Sequence, residues 1–240
     1  LVGSEMCIRD RNQMSGIVEK ALIFAKACHD GDSSGHDFEH IRRVLTNAEK
    51  IAAETPEADV EIVRLAAILH DVDDYKLNNG EARADNFLRE AAAADDVREK
   101  VLAVTNAIGF SKSGCRPQFE MIEQAVVSDA DKLDAMGAVG VCRTVMYSAA
   151  TGRKLFDEAE FPKENLTAAE YKDKSRAGNH SINHFFDKLL KLKGAMRTAA
   201  GKREAERRHA FMAEFLQEFF AEVRVPEWQA YLEDYLERTK

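Results

Sequence analysis

Apolar residues recur with a helical period along most of the chain. Ile17, Val18, Ala21, Leu22, Ala25 and Cys28 fall on one face at 3.6 residues per turn, and the polar run from His29 to Gly35 then breaks the pattern. Ile41, Val44, Leu45, Ala48, Ile51 and Ala52 predict a second amphipathic helix, ending near Thr55 and Pro56. Val60 to His70 is apolar nearly all round, as expected of a helix buried at the centre of a domain. Two more helical patterns run from Glu81 to Ala94 and from Asp95 to Ile108, followed by a polar loop with Gly and Pro over Gly109 to Pro117. Gln118 to Tyr147 reads as one long helix, or as two joined near Asp129. Thr151 to Gly178 contains Gly152 and Pro162 and shows little period. It is expected to be a long loop with short helical pieces, and such loops are usually functional or mobile. Ser181 to Met196 and Glu204 to Val223 are strongly amphipathic. No internal repeat and no interior linker interrupts the series, so the pattern predicts one all-α domain over residues 14–240.

Residues 1–13, LVGSEMCIRDRNQ, have no clear period and resemble translated adapter sequence, whereas Met14, Ser15 and Gly16 read as a natural start. The segment is expected to be a non-native extension lying outside the packed body.

Composition narrows the class. Among 240 residues there are only 4 prolines and 13 glycines, too few for an all-β fold rich in turns. A chain of this length buries enough surface to fold without disulfides or a structural metal. The four cysteines, Cys7, Cys28, Cys115 and Cys142, have no paired spacing and fit reduced thiols. No signal-peptide pattern appears and no apolar run approaches bilayer length, so the expected address is the cytoplasm, away from membranes. A formal net charge of −8 opposes stable nucleic-acid binding. The charge is uneven, however. Residues 171–210 hold 11 Lys or Arg against 4 Asp or Glu, enough to favour a small anion locally.

The candidate chemistry lies in histidines and aspartates near helix ends. His36, Asp37 and His40 open the second helix; His70, Asp71, Asp73 and Asp74 close the buried third; Ser128, Asp129, Asp131 and Asp134 lie in the later helical stretch. An aspartate such as Asp71 or Asp131 among apolar neighbours needs a partner, because burying an uncompensated charge is costly. One divalent cation serves several such groups at once. A mixed set of imidazoles and carboxylates suits Mn, Mg, Co, Ni or Fe in an octahedral site. Taken singly, a His-Asp pair or an Asp-x-Asp is weak, since hydrogen-bonded structural pairs and helix caps produce both. The weight lies in their order along the chain.

That order, H…HD…D, resembles the HD-domain superfamily of metal-dependent phosphohydrolases. The strings GHDFEHIRRV at 35–44, AAILHDVDDYKL at 66–77, SDADKLDAMGAVGVCRT at 128–144 and NHFFDKLLKL at 183–192 are similar to one branch, the small single-domain bacterial HD hydrolases. The similarity runs from about Ile17 to Glu222. It implies an HD-type helical bundle and hydrolysis of a phosphate ester or anhydride, most naturally in a nucleotide. Nucleoside triphosphate pyrophosphohydrolase and nucleotide phosphatase activities are the two outcomes. It also implies one bound divalent metal and a small nucleotide or phosphorylated metabolite as partner. The metal ligands it implies are His40, His70, Asp71 and Asp131, with Asp131 preferred over Asp129 for its Ala-Asp-x-Leu context. Asp74, three residues after the paired Asp, is implied as the catalytic group that positions the attacking water. His36, Asp37 and Asp129 are expected to support the ligands from behind. Ser111, Lys112, Ser113 and Gly114 offer donors and close backbone approach, and His184 and Lys188 lie at the edge of an apolar helix face. With the matching family segment, the resemblance makes Lys112, His184 and Lys188 the candidates for contacting substrate phosphate. The contrasting reading is a non-catalytic helical sensor that binds metal or nucleotide; it expects a missing ligand, and none of the four is missing.

Overall fold

The structure is a computed structural model, and it describes residues 16–29, 37–73, 81–108, 119–163, 166–167, 170, 173 and 178–239. The expectations for residues 1–13, His36, Asp74 and Lys112 lie outside the described residues. The described residues form an all-α fold without strands. They divide into two compact units, one comprising residues up to Asp134 with Arg197–Gly201, the other Ala135–Met196 with Lys202 onward.

The first unit contains α1 (16–28), α2 (Phe38–Ala53), α3 (Val60–Leu69), α4 (Arg83–Glu90), α5 (Asp95–Ala107) and α6 (Ile122–Asp134). Helix α3 is its centre. Ile62, Val63, Leu65, Ala66, Ala67, Ile68 and Leu69 are all buried, which is what the nearly all-round apolar pattern requires. Asp59 caps α3 by accepting from the backbone N–H groups of Glu61 and Ile62. Glu123 of α6 accepts from Asp59 N at 2.8 Å, so the cap is itself tied to a neighbouring helix. Helix α2 packs on both α3 and α6. Its buried face carries Ile41, Val44, Ala48 and Ile51, and on that face Asn47 Nδ2 donates to Ala130 O at 3.3 Å. Beyond α6, residues Arg197–Gly201 return to this unit. There the buried Asp129 carboxylate accepts from Arg197 N at 3.0 Å and from Thr198 N and Thr198 Oγ1 at 2.8 Å. Thr198 Oγ1 in turn accepts from Gly201 N at 3.0 Å, in the manner of an N-cap. Gly201 is needed here for space: a Cβ would lie 2.4 Å from Asp129 Oδ2.

The second unit contains α7 (Gly137–Ala150), α8 (Ser181–Asp187), a 3-10 turn (Leu189–Ala195), the body of α9 (Ala199–Val223) and α10 (Pro226–Arg238). Its core includes Trp228. Phe161 stacks on the indole at 4.4 Å, Phe156 meets it edge-on at 5.0 Å, and the indole N–H donates to Glu158 O. Along α9, Ala205, Met212, Leu216 and Phe220 form the buried stripe. Arg207 and Arg208 both pair with Glu204, whereas His209 lies on the buried side, where burial and Lys193 lower its pKa.

Three local features differ from the sequence pattern. Helix α6 passes Asp129 without interruption and ends at Asp134; the break comes at Ala135 and Met136, ahead of Gly137, which adopts φ +69°. The amphipathic stretch from Ser181 is not one helix, because Lys188, at φ −139° and ψ −58°, separates α8 from the tighter 3-10 turn that buries Leu189, Leu190 and Leu192. Helix α10 was not expected at all. No described helix is long and apolar enough to cross a membrane.

Candidate metal centre

Three helices of the first unit converge on one point. His40 enters from the first turn of α2. Asp37 caps that turn by accepting from His40 N at 2.8 Å, which fixes where the imidazole leaves the backbone. His70 is the C-cap of α3, with Asp71 next to it. Asp131 lies in α6, one turn before Asp134. His40 Nε2 is 3.5 Å from Asp71 Oδ2 and 3.7 Å from Asp131 Oδ1. His70 Nε2 is 3.4 Å from Asp71 Oδ2 and 3.9 Å from Asp131 Oδ1. The two imidazole rings meet edge to face with centroids 5.3 Å apart.

These donors fit a metal ion. Ligands about 2.0–2.2 Å from a common octahedral cation stand about 3 Å apart when adjacent and about 4.2 Å apart when opposite. The four cross-distances fall between those limits. The imidazoles supply a second test. His70 Nδ1 is 2.8 Å from Ala67 O. A carbonyl only accepts, so Nδ1 carries a proton and Nε2 is the nitrogen turned towards the carboxylates. That Nε2 is buried and makes no hydrogen bond among the described residues. A lone pair facing two carboxylates in a buried place is stabilised by a cation between them. His40, His70 and Asp131 offer ligand atoms within 4.8 Å of one another, and Asp71 Oδ2 adjoins both imidazoles. Both imidazoles are 1% exposed, against 15% for Asp71 and 30% for Asp131, so the carboxylate side is the accessible one.

Asp129, the fallback ligand, is occupied by the 197–198 backbone and Thr198, and it is Asp131 that stands beside the imidazoles. Burial pushes the Asp129 carboxyl pKa up, against the donors of Thr198 and Arg197. His184 on α8 and Lys188 at its C-cap are half-buried in the second unit. Asp134 had no role assigned from the sequence, yet it is nearly fully buried and accepts from both His40 and Arg43. Its spacing of one helical turn from Asp131 was the available signal.

The family model for the HD domain matches residues 37–136, a stretch that holds all four converging side chains. YpgQ of Bacillus subtilis (strain 168) is 31% identical over 205 residues, covering 83% of this chain and 90% of YpgQ. The chain belongs to the HD-domain superfamily. Among solved structures, an HD-superfamily hydrolase from Bacillus thuringiensis is 34% identical with a TM-score of 0.69, covering 88% of this chain and 98% of that one. A protein from Lactobacillus plantarum, also 34% identical, has a TM-score of 0.74 and covers 86% of this chain and 96% of its own. YpgQ in complex with ADP is 28% identical with a TM-score of 0.67, covering 86% of this chain and 97% of YpgQ. As a member of the superfamily, this HD-domain protein is a metal-dependent phosphohydrolase.

Proposed function

We propose that this HD-domain protein hydrolyses a phosphoanhydride or phosphoester bond of a nucleotide, and that His40, His70, Asp71 and Asp131 hold the single divalent cation it requires. The observation that carries this reading is the convergence of two imidazole nitrogens and two carboxylate oxygens from three helices. The nucleotide is favoured because the relative YpgQ has been crystallised with ADP. A divalent cation held there supplies positive charge opposite developing phosphoryl charge and lowers the pKa of water towards neutrality. His40 and His70, nearly excluded from solvent, keep the donor set in place, while Asp71 and Asp131 face the accessible side. Asp74 is proposed to take the proton of the attacking water, and Lys112 to contact phosphoryl oxygens. Pyrophosphate release from nucleoside triphosphates is preferred over removal of a terminal phosphate.

A nucleotide panel with Mn, Mg, Co or Ni, read by phosphate release with and without added pyrophosphatase, tests this. Signal only with pyrophosphatase is expected for nucleoside triphosphates. Signal without it assigns phosphatase activity instead, and no signal with any metal overturns the hydrolase reading in favour of the sensor.

Metal uptake should also depend on pH. Burial is the largest influence on His40 and disfavours its charged form. The hydrogen bonds to Asp134 and Asp71, with the charges of Asp131 and Asp71, outweigh it, and the pKa is pushed from an ordinary 6.5 up to about 9. A cation must displace that proton. Affinity for Mn2+, measured calorimetrically under argon between pH 6.5 and 8.5, is therefore expected to rise about tenfold per pH unit. A flat profile contradicts it. Stability of the metal-free protein follows the opposite sign: the contribution of His40 is complete below about 6.5 and is lost as the pH rises through about 9.

A further inference from the structure

Behind the four converging side chains stands a second pair on the same two helices. His40 and Arg43 lie one turn apart on α2, as Asp131 and Asp134 do on α6. His40 and Asp131 face the metal centre; Arg43 and Asp134 meet on its far side. His40 Nδ1 is 2.7 Å from Asp134 Oδ2. Arg43 Nε donates to Asp134 Oδ1 at 2.6 Å, and Arg43 Nη2 to Oδ2 at 3.2 Å. Asp134 is 1% exposed and Arg43 34%.

We propose that Asp134 is a positioning residue for the metal centre: clamped by Arg43, it keeps the proton of His40 on Nδ1 and so aims the Nε2 lone pair at the cation. The inference rests on the reading of His40 as a ligand and deepens it. A carboxylate can only accept, so an imidazole nitrogen bonded to it must donate. The guanidinium fork fixes the carboxylate in one plane, which fixes the plane of the ring it holds. Outer partners of this kind set both the tautomer and the orientation of a ligating histidine.

The chemistry of the slot makes asparagine the informative replacement. With its oxygen turned to Arg43 Nε, the amide of Asp134→Asn points its NH2 at His40 Nδ1 and forces the proton to Nε2, the nitrogen that should bind metal. With the amide turned over, its NH2 meets the N–H of Arg43. Neither orientation serves both neighbours. A side chain of merely structural importance would show no such effect on the tautomer.

Nitrogen-15 spectra of the wild-type protein loaded with Zn2+ are expected to show His40 protonated at Nδ1 and metal-bound at Nε2. Asp134→Asn is expected to weaken Mn2+ binding about 10–100-fold by calorimetry, and to move the proton to Nε2 in the metal-free spectrum of the neutral imidazole. Wild-type His40 bound through Nδ1 overturns the proposal, as does an Asp134→Asn protein that binds Mn2+ within twofold of wild type. If the variant does not fold, the wild-type tautomer alone decides. Wild-type protein in which neither His40 nor His70 responds to Zn2+ overturns the metal-centre reading itself. Intact wild-type binding with an indifferent Asp134→Asn overturns only the positioning role.

Discussion

His70→Ala is expected to lower kcat/KM by at least 10²–10³-fold with every activating metal, the loss that removing one preorganised electrostatic group commonly causes. The imidazole of His70 is 1% exposed and its Nε2 adjoins both Asp71 and Asp131. Alanine deletes one of the four proposed donors and leaves the two carboxylates with His40 as the one remaining imidazole of the set. Metal content after dialysis should fall well below one ion per chain. The far-UV spectrum should change little, because His70 is only the C-cap of α3, and the apolar packing that holds that helix lies in Ile62 to Leu69. A His70→Ala protein retaining activity within tenfold of wild type, with a full complement of metal, would contradict the assignment of this residue as a ligand.

Asp129→Ala is expected to cause the largest loss of stability. The carboxylate is fully buried and receives Arg197 N, Thr198 N and Thr198 Oγ1. Alanine leaves two backbone donors and a hydroxyl without their acceptor. An unsatisfied buried group costs about 1–3 kcal/mol, so about 2–4 kcal/mol is expected after partial relaxation. For a chain of this size that corresponds to a fall in Tm of roughly 4–16 °C. Asp129→Asn, which keeps an acceptor oxygen, should lose less. The pair also separates structure from ligation: Asp129→Asn should retain metal stoichiometry, whereas Asp131→Asn should not. A Tm for Asp129→Ala within about 1 °C of wild type would show that the 197–201 segment is held by other contacts.

The physical contrast between these two aspartates explains how far the sequence could be read. Asp129 and Asp131 are the same residue type, have apolar residues equally near in sequence and stand two positions apart, so period and composition cannot rank them. The family context preferred Asp131, and the geometry sets Asp131 Oδ1 beside the imidazoles while Asp129 serves a backbone segment some seventy residues later. Helices with long, regular apolar faces were legible: α2 and α3 lie close to their expected spans, because burial of one face is what the period encodes. Breaks set by backbone conformation were not. Nothing in the amphipathic pattern distinguishes Lys188 from a helix interior, yet it separates an α-helix from a 3-10 turn. The turn before Gly137 depends on a positive φ that only the three-dimensional path reveals. Helix α10 did carry a signal, with Pro226 at its first turn and Trp228, Leu232 and Tyr235 on one buried face, but it is short and follows a long helix closely. Asp134, though among the candidate aspartates, carries no role that the sequence alone assigns, because its partners, His40 and Arg43, lie more than ninety positions away.

The most direct measurement is the anomalous scattering of crystals grown with Mn2+. One strong peak is expected per chain, within bonding distance of His40 Nε2, His70 Nε2 and carboxylate oxygens of Asp71 and Asp131. A peak held by other side chains, or none between these four at saturating Mn2+, would contradict the metal centre and the hydrolytic chemistry built on it.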